Sequence, residues 1–474
     1  MIKPAIIVLA TIVLASLIAR HVPGINGPWY WKWPWRNLPF APLYPALLIA
    51  ATPFIAAQML YRRRRGDERG AFMAVTLLTL ATLAISLTAM FVHTKPYGLS
   101  RLVAMVQSPI VNSYYSDAVA IQRNIEENPN LSTRAALDDY PLLLPHLHLH
   151  SRYKPPGLML YYLVWVKLFG PGDAAAAAGG IFIAILGALR VPAAFWMFAS
   201  LTRNRDAAFN TASLLALAPG ANLFLPTFDT IYPAIACVLI VLWARALARG
   251  RVVDASAFGA LLALGLFLSY IFLVFGVFFV VYALMKIADE PRPMIRRAII
   301  AGAIAAATIF ACYGVLYAIS GFDPIETART ISRLQMRDLI ALRRPFPAHI
   351  FFDVLDFGLA AGWIVFGLIV FLFTPPHRAL RRGSPAGRLV LLCLLQIATV
   401  ALAALLPGEA ARLWLPMLPL LLVPAGLELT RWPFAARVGV YACLWLMLAV
   451  LCQNFAFVFD PFQRPPPTAA AAVR

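Results

Sequence analysis

The sequence predicts an all-α polytopic membrane protein with about 13 transmembrane helices and two large outer loops. Three observations predict it. Of 474 residues, 61% are hydrophobic and only 13% charged, against about 45–50% apolar and ~25% charged in an ordinary soluble domain. The mean hydropathy is +0.77. Apolar runs close to the ~20 residues that cross a bilayer recur from residue 4 to residue 457. A soluble enzyme, a disordered chain and a disulfide scaffold are excluded.

The runs read as spans at 4–20, 41–61, 71–93, 175–200, 207–222, 227–247, 256–268, 271–285, 297–319, 351–374, 388–406, 412–428 and 437–457. The first resembles a signal peptide in composition. Its apolar stretch is long, it ends in Arg20 and no A-x-A site follows, so a retained helix is the better reading. The stretch 256–285 divides at Leu268-Ser269-Tyr270, because one span there would put the next basic loop on the other side. The run 157–170 is short for a span and reads as a half-inserted or interface-parallel helix. No repeat period is present.

The formal net charge is +19, from 40 Lys+Arg against 21 Asp+Glu. Most basic residues sit in short loops, which is how a membrane protein sets its orientation, so nucleic acid is not an expected partner. The basic loops are Arg62–Arg65 with Arg69; Arg203 and Arg205; Arg245, Arg249 and Arg251; Lys286 with Arg292, Arg296 and Arg297; Arg378, Arg381, Arg382 and Arg388; and Arg431 with Arg437. With these spans all six fall on the side of the N-terminus, which the positive-inside rule makes cytoplasmic. Two long loops, 94–156 and 320–350, then face outward. A shorter outer loop, 21–40, holds Trp29, Trp31, Trp33 and Trp35, as interfacial anchors do. The five cysteines, Cys237, Cys312, Cys393, Cys443 and Cys452, lie in apolar segments without metal-ligand spacing and read as buried small hydrophobes.

Ionisable residues at membrane depth or at loop–membrane junctions are costly and mark function, and loops this long need a purpose. Both point to the outer face. In Ser113-Tyr114-Tyr115-Ser116-Asp117, either Ser116 or Asp117 caps the following helix, or Asp117 is positioned as a general base. Asp138 and Asp139 carry the same ambiguity. The loop ends in His146-Leu147-His148-Leu149-His150-Ser151-Arg152-Tyr153-Lys154-Pro155-Pro156-Gly157. If extended, the three alternating histidines share one face and could hold a metal, although no helical HExxH pattern is present. Arg152 and Lys154 either meet a lipid phosphate at headgroup level or snorkel as ordinary interfacial cations.

Asp229, Tyr270, Glu409 and Arg412 face the same side. Glu409 and Arg412, at i,i+3, could simply neutralise each other. Arg329, Arg333 and Arg337 recur every fourth residue on an amphipathic stretch followed by Arg343 and Arg344, as on a helix lying on anionic headgroups or at a donor-phosphate gate. Arg190, mid-span before Val191-Pro192, must pair inside the bundle. No P-loop, GxGxxG, GxSxG or Ser-x-x-Lys is present.

The run Leu149-His150-Ser151-Arg152-Tyr153-Lys154-Pro155-Pro156-Gly157 resembles the H-x-R-T-H-P-P-G signature that ends the first outer loop of many bacterial GT-C glycosyltransferases. The resemblance continues through Leu168-Phe169-Gly170, Gly187-Ala188-Leu189-Arg190-Val191-Pro192, Ala216-Leu217-Ala218-Pro219-Gly220 and Thr227-Phe228-Asp229. It resumes at Phe267-Leu268-Ser269-Tyr270, Asp323-Pro324-Ile325, Arg343-Arg344-Pro345-Phe346 and Gly408-Glu409-Ala410-Ala411-Arg412-Leu413-Trp414. It is most similar to the mannosyltransferase-like subfamily. Tyr153-Lys154 departs from the family's Thr-His, and Asp117 follows two tyrosines rather than sitting in a DxD.

The resemblance implies a GT-C-like catalytic core over 71–457, two added N-terminal helices in 1–70 and a disordered tail at 458–474. It implies a multi-pass enzyme of the bacterial cytoplasmic membrane with its site facing outward. Such an enzyme transfers a hexosyl or pentosyl group, with inversion, from a polyprenyl-phosphate-linked donor to a glycan, lipid or protein acceptor of the cell envelope. Asp117 would be the base. Arg152, Lys154 and Arg412 would hold the donor phosphate, and His150, Asp229, Tyr270 and Glu409 would line the sugar or acceptor pocket. No cofactor is required by the sequence; a divalent metal is compatible with Asp117 and the histidines nearby. The competing readings are a transporter or flippase of lipid-linked sugars or other solutes, and a non-catalytic membrane scaffold.

Overall fold

The computed structural model describes residues 2–22, 24–25, 43–64, 66–128, 130–342, 346–381, 384–406 and 408–455. Trp29, Trp31, Trp33, Trp35, Arg343, Arg344 and the tail 458–474 lie outside the described residues. Among the described residues the structure is helical and no strand forms, so the chain is all-α. Among the described residues nine helices are long and apolar enough to cross a membrane: Ile2–Ala19, Leu43–Arg63, Glu68–Val92, Asp173–Thr202, Phe228–Arg249, Tyr270–Asp289, Pro291–Ser320, Pro385–Leu402 and Phe434–Asn454. These make the chain a multi-pass membrane protein.

Local chemistry sets many of the boundaries. Asp67 accepts from the backbone N–H groups of Arg69 and Gly70, both at 3.1 Å, and so starts the helix Glu68–Val92. Asn204 does the same for Arg205–Leu217 through Ala207 N–H at 3.0 Å. That helix stops at Leu217 because Ala218 precedes Pro219 and takes ψ 122°; the expected span 207–222 is therefore shorter. The division of 256–285 falls at Ser269, where the backbone is extended and the hydroxyl accepts from Ile271 N–H at 3.4 Å.

The expected span 351–374 is not a straight helix. Ala348–Ala361 and Ile364–Phe373 meet at a bend of 102°. Gly362, at φ +88°, ends the first helix in the left-handed conformation, and the Trp363 indole N–H donates to the Leu355 carbonyl at 2.8 Å.

The chain divides into two compact units. The first comprises Met1–Gly98, Ile183–Val241 and Phe346–Phe457. At its centre, Arg205–Leu217 is buried from Ala207 to Leu217 and packs on Leu418–Leu429. Gly426 permits this closeness, since Thr211 occupies the space a Cβ would need. Arg190 is 1% exposed and is held by neutral acceptors, its terminal nitrogens donating to the Gly187 carbonyl and to Asn222 Oδ1, both at 2.9 Å. It pairs inside the bundle as expected.

In this unit four of the six basic loops meet. Tyr61 Oη donates to Asp206 at 3.0 Å, Arg205 pairs with Glu68, the Arg62 guanidinium lies 4.5 Å from the Phe434 ring centre, and Arg431 donates to the Pro375 carbonyl at 2.9 Å. Lys3, in the first turn of the first helix, joins the same end through Glu428 at 3.1 Å. Glu428 is fully buried and also takes hydrogen bonds from Arg431 and the Trp432 indole.

The second unit comprises Leu99–Phe182 and Leu242–Pro345. Val252–Leu268 packs along Pro291–Ser320, and Ser113–Glu127 on Gly157–Phe169. The other two basic loops meet here, through Arg297 and the Ala248 carbonyl at 3.2 Å. The helix Pro324–Leu342 from the second long loop packs on the segment 140–153 of the first. Its buried residues Thr327, Ile331 and Leu334 follow the i, i+4, i+7 spacing of one helix face.

Candidate functional site

The helix Ser113–Glu127 puts Asp117 in its second turn, so neither Ser116 nor Asp117 caps it. Ser116 instead donates to the Gln107 carbonyl at 3.3 Å. The Asp117 side chain is 4% exposed. Its carboxylate accepts from the backbone N–H of His148 at 3.3 and 3.4 Å and lies 2.6 Å from His148 Nδ1. The His148 side chain is 50% exposed. A buried carboxylate thus grips one residue twice, through backbone and ring, while the rest of the imidazole is open. The arrangement can orient an imidazole and stabilise it once protonated.

The other two histidines do not join this pair. His146 closes the 3-10 turn Leu144–His146. His150 donates its backbone N–H to Ser113 Oγ at 2.9 Å, and its Nε2 lies 2.8 Å from the Ile110 carbonyl. The segment is turned rather than extended, so the alternating histidines do not share a face. Among the described residues no group of three His, Cys, Asp or Glu could hold a metal ion, and no residue set is assigned to one.

The basic pair after the histidines is anchored to the same unit. Lys154 Nζ donates to the Ser269 hydroxyl at 2.6 Å, and its carbonyl accepts from Tyr140 Oη at 3.0 Å. Burial, and after it the charges of Asp117 and the nearby Tyr114 and Tyr270, push the Tyr140 phenol well up. Tyr140 therefore stays a donor and holds Lys154. Tyr270, next to Ser269, is brought within electrostatic reach of this group. Arg152 is half-buried and donates to the Leu147 carbonyl at 3.3 Å. Its Nε is buried without a hydrogen-bond partner, and no carboxylate pairs with it among the described residues. Gly157 is required where the chain turns into the next helix, because the Phe267 carbonyl sits where a Cβ would.

The remaining expected residues, Asp229, Glu409 and Arg412, belong to the first unit. Asp229, in the turn Phe228–Thr230, is 9% exposed and takes no hydrogen bond or ion pair from the described residues. That turn packs on Leu415–Met417, just beyond Arg412. Glu409, at φ 45°, pairs with Arg412, as the i,i+3 spacing suggests. Two carboxylates not anticipated hold this loop. Asp353 accepts from Gly408 N–H at 2.9 Å and Asp356 from Ala411 N–H at 2.8 Å; both are at most 5% exposed. Their i,i+3 spacing inside the apolar run 351–374 was the available signal. In the second long loop, Glu326 draws in Arg333 at 2.8 Å and Arg329 at 3.7 Å.

The chain matches no protein-family model and is significantly similar to no characterised protein.

Proposed function

We propose that the chain is a membrane-embedded glycosyltransferase of the GT-C kind, moving a sugar from a polyprenyl-phosphate donor to an acceptor hydroxyl. The observation that carries this reading is the buried Asp117 carboxylate bound to the half-open His148 ring, three to six residues before Ser151, Arg152 and Lys154 on the same loop. In the reaction the acceptor oxygen bonds to the anomeric carbon from the side opposite the phosphate. The carbon–phosphate-oxygen bond breaks and its electron pair stays on the polyprenyl phosphate. The acceptor's proton passes to the Asp117–His148 pair; with Nδ1–H directed at Asp117, Nε2 is the acceptor. Arg152 and Lys154 face the growing charge on the leaving phosphate, and Tyr270 lines the acceptor side. Asp229, Glu409 and Arg412 are given no step.

In this reading the bent pair and the three shorter helices Arg205–Leu217, Val252–Leu268 and Leu415–Leu429 also count as crossings, making thirteen with the nine. The basic loops face the cytoplasm and the two long loops face outward in a bacterial inner membrane.

The test is transfer of label by purified protein in lipid, from a panel of polyprenyl-phosphate monosugars to an envelope extract. Label transfer that disappears in Asp117→Asn supports the proposal. A folded protein that moves no label from any donor, but carries solute across sealed vesicles, overturns it.

A further inference from the structure

The end of the first unit where four basic loops meet encloses a cavity of about 310 Å³. Its wall includes Tyr61, Arg62, Asp206, Phe209, Phe434 and Arg437. The guanidiniums of Arg62 and Arg437 lie 4.5 and 5.8 Å from the centre of one ring, that of Phe434. Two like charges thus line one cavity, an arrangement that an anion between them would stabilise. Neither pairs with a carboxylate among the described residues. Arg437 makes a long hydrogen bond to Asn210 Oδ1, 3.4 Å, and its Nε is buried without a hydrogen-bond partner among the described residues. The acid in the wall, Asp206, is turned to Tyr61 Oη at 3.0 Å. Tyr61 is itself fixed by stacking on Phe209, with ring centres 3.8 Å apart.

The apolar part of the wall adds a second requirement. Aromatic faces beside two guanidiniums suit a ligand with both an anionic head and hydrocarbon or glycerol next to it. The helix Phe434–Asn454 also begins at this wall with no side-chain cap, so its positive end adds to the two arginines. We propose that this cavity binds a phosphate group, presented either by an anionic phospholipid headgroup or by a small soluble phosphate ester. The site lies among the basic loops, within one compact unit, and does not depend on the glycosyl-transfer reading.

The experiment uses the full chain in lipid nanodiscs, with thermal unfolding as the readout. One set of discs is pure phosphatidylcholine, one contains phosphatidylglycerol, and one is pure phosphatidylcholine with added glycerol phosphate. A higher midpoint with phosphatidylglycerol only identifies a lipid headgroup; a higher midpoint with glycerol phosphate identifies the soluble ester. Arg62→Gln, an exposed position, and Arg437→Gln should each weaken half-saturation about tenfold, the loss of one charge-assisted hydrogen bond. Arg249→Gln, an exposed cation of the other unit, should leave it unchanged. If neither phosphate source raises the midpoint, or if all three variants respond alike, the site is overturned. Should Arg437→Gln not fold, Arg62→Gln alone decides.

Discussion

His148 Nδ1 lies 2.6 Å from Asp117 Oδ1, and the same carboxylate also receives the His148 backbone N–H. The two residues are 31 positions apart and come from opposite ends of the first long loop. In the proposed mechanism, burial of the acid beside a half-open ring gives each a separate duty: Asp117 orients, and the outward edge of His148 takes the acceptor's proton.

Asp117→Asn should reduce transfer by about two to four orders of magnitude, the range of a lost acid–base group, while the unfolding midpoint stays near that of the parent. The measurement is initial rate with a labelled donor beside thermal unfolding of the same sample. Parent-like turnover would remove Asp117 from the mechanism.

His148→Gln should lose at least about a hundredfold in the same assay. If the pair acts as a unit, the double variant with Asp117→Asn should be hardly slower than the worse single one, because groups that act together are not additive. Two independent multiplicative losses would argue against the pairing.

Arg152 has a backbone acceptor but no carboxylate among the described residues. Arg152→Gln should raise the donor KM about tenfold or more, the cost of a charge-assisted hydrogen bond to phosphate. Arg152→Lys should recover part of the loss. Steady-state kinetics over donor concentration separate this from a loss in kcat.

Asp356 accepts from Ala411 N–H at 2.8 Å. Asp356→Leu should destabilise the protein by about 1–3 kcal/mol, since it leaves a buried donor unpaired, whereas Asp356→Asn keeps an acceptor and should cost less. Denaturation in detergent distinguishes them; equal midpoints would show that the loop is held otherwise.

His377 lies in the loop after the bent pair, with Nε2 3.2 Å from Thr430 Oγ1 and Nδ1 accepting from Ala379 N–H at 2.9 Å. Burial first, then the positive charge of Arg431, holds its pKa below the ordinary histidine value of 6.5. The neutral ring is thus favoured by folding. Its contribution is present above pH 6.5 and is lost as pH falls through the lowered folded value. The unfolding midpoint of His377→Gln should therefore depend less on pH than the parent's between about pH 7.5 and 5.5; identical slopes would contradict this.

Sequence by itself determined what each segment must be. Apolar runs of bilayer length have to become helices, because lipid leaves backbone groups no other acceptor. One boundary was read at Leu268-Ser269-Tyr270, where the structure breaks the helix; Asp67 and Asn204 cap two more helices. The basic loops marked one common side, and four of them do meet. Asp117, Arg152 and Lys154 marked the first long loop as the candidate place for chemistry.

The tertiary structure decided which of those residues touch. Three histidines at alternate positions looked like one face, but only the turn at 144–153 shows that His148 alone reaches Asp117 while His150 turns to Ser113 and Ile110. Gly362 made a bend of 102° where hydropathy alone read a continuous span, since hydropathy sums composition and is blind to one residue's φ. The carboxylates Asp353 and Asp356 each accept from a backbone N–H 55 residues away. Hydrogen bonds are short and directional, so partners so distant along the chain have no periodicity to betray them; packing alone brings them together.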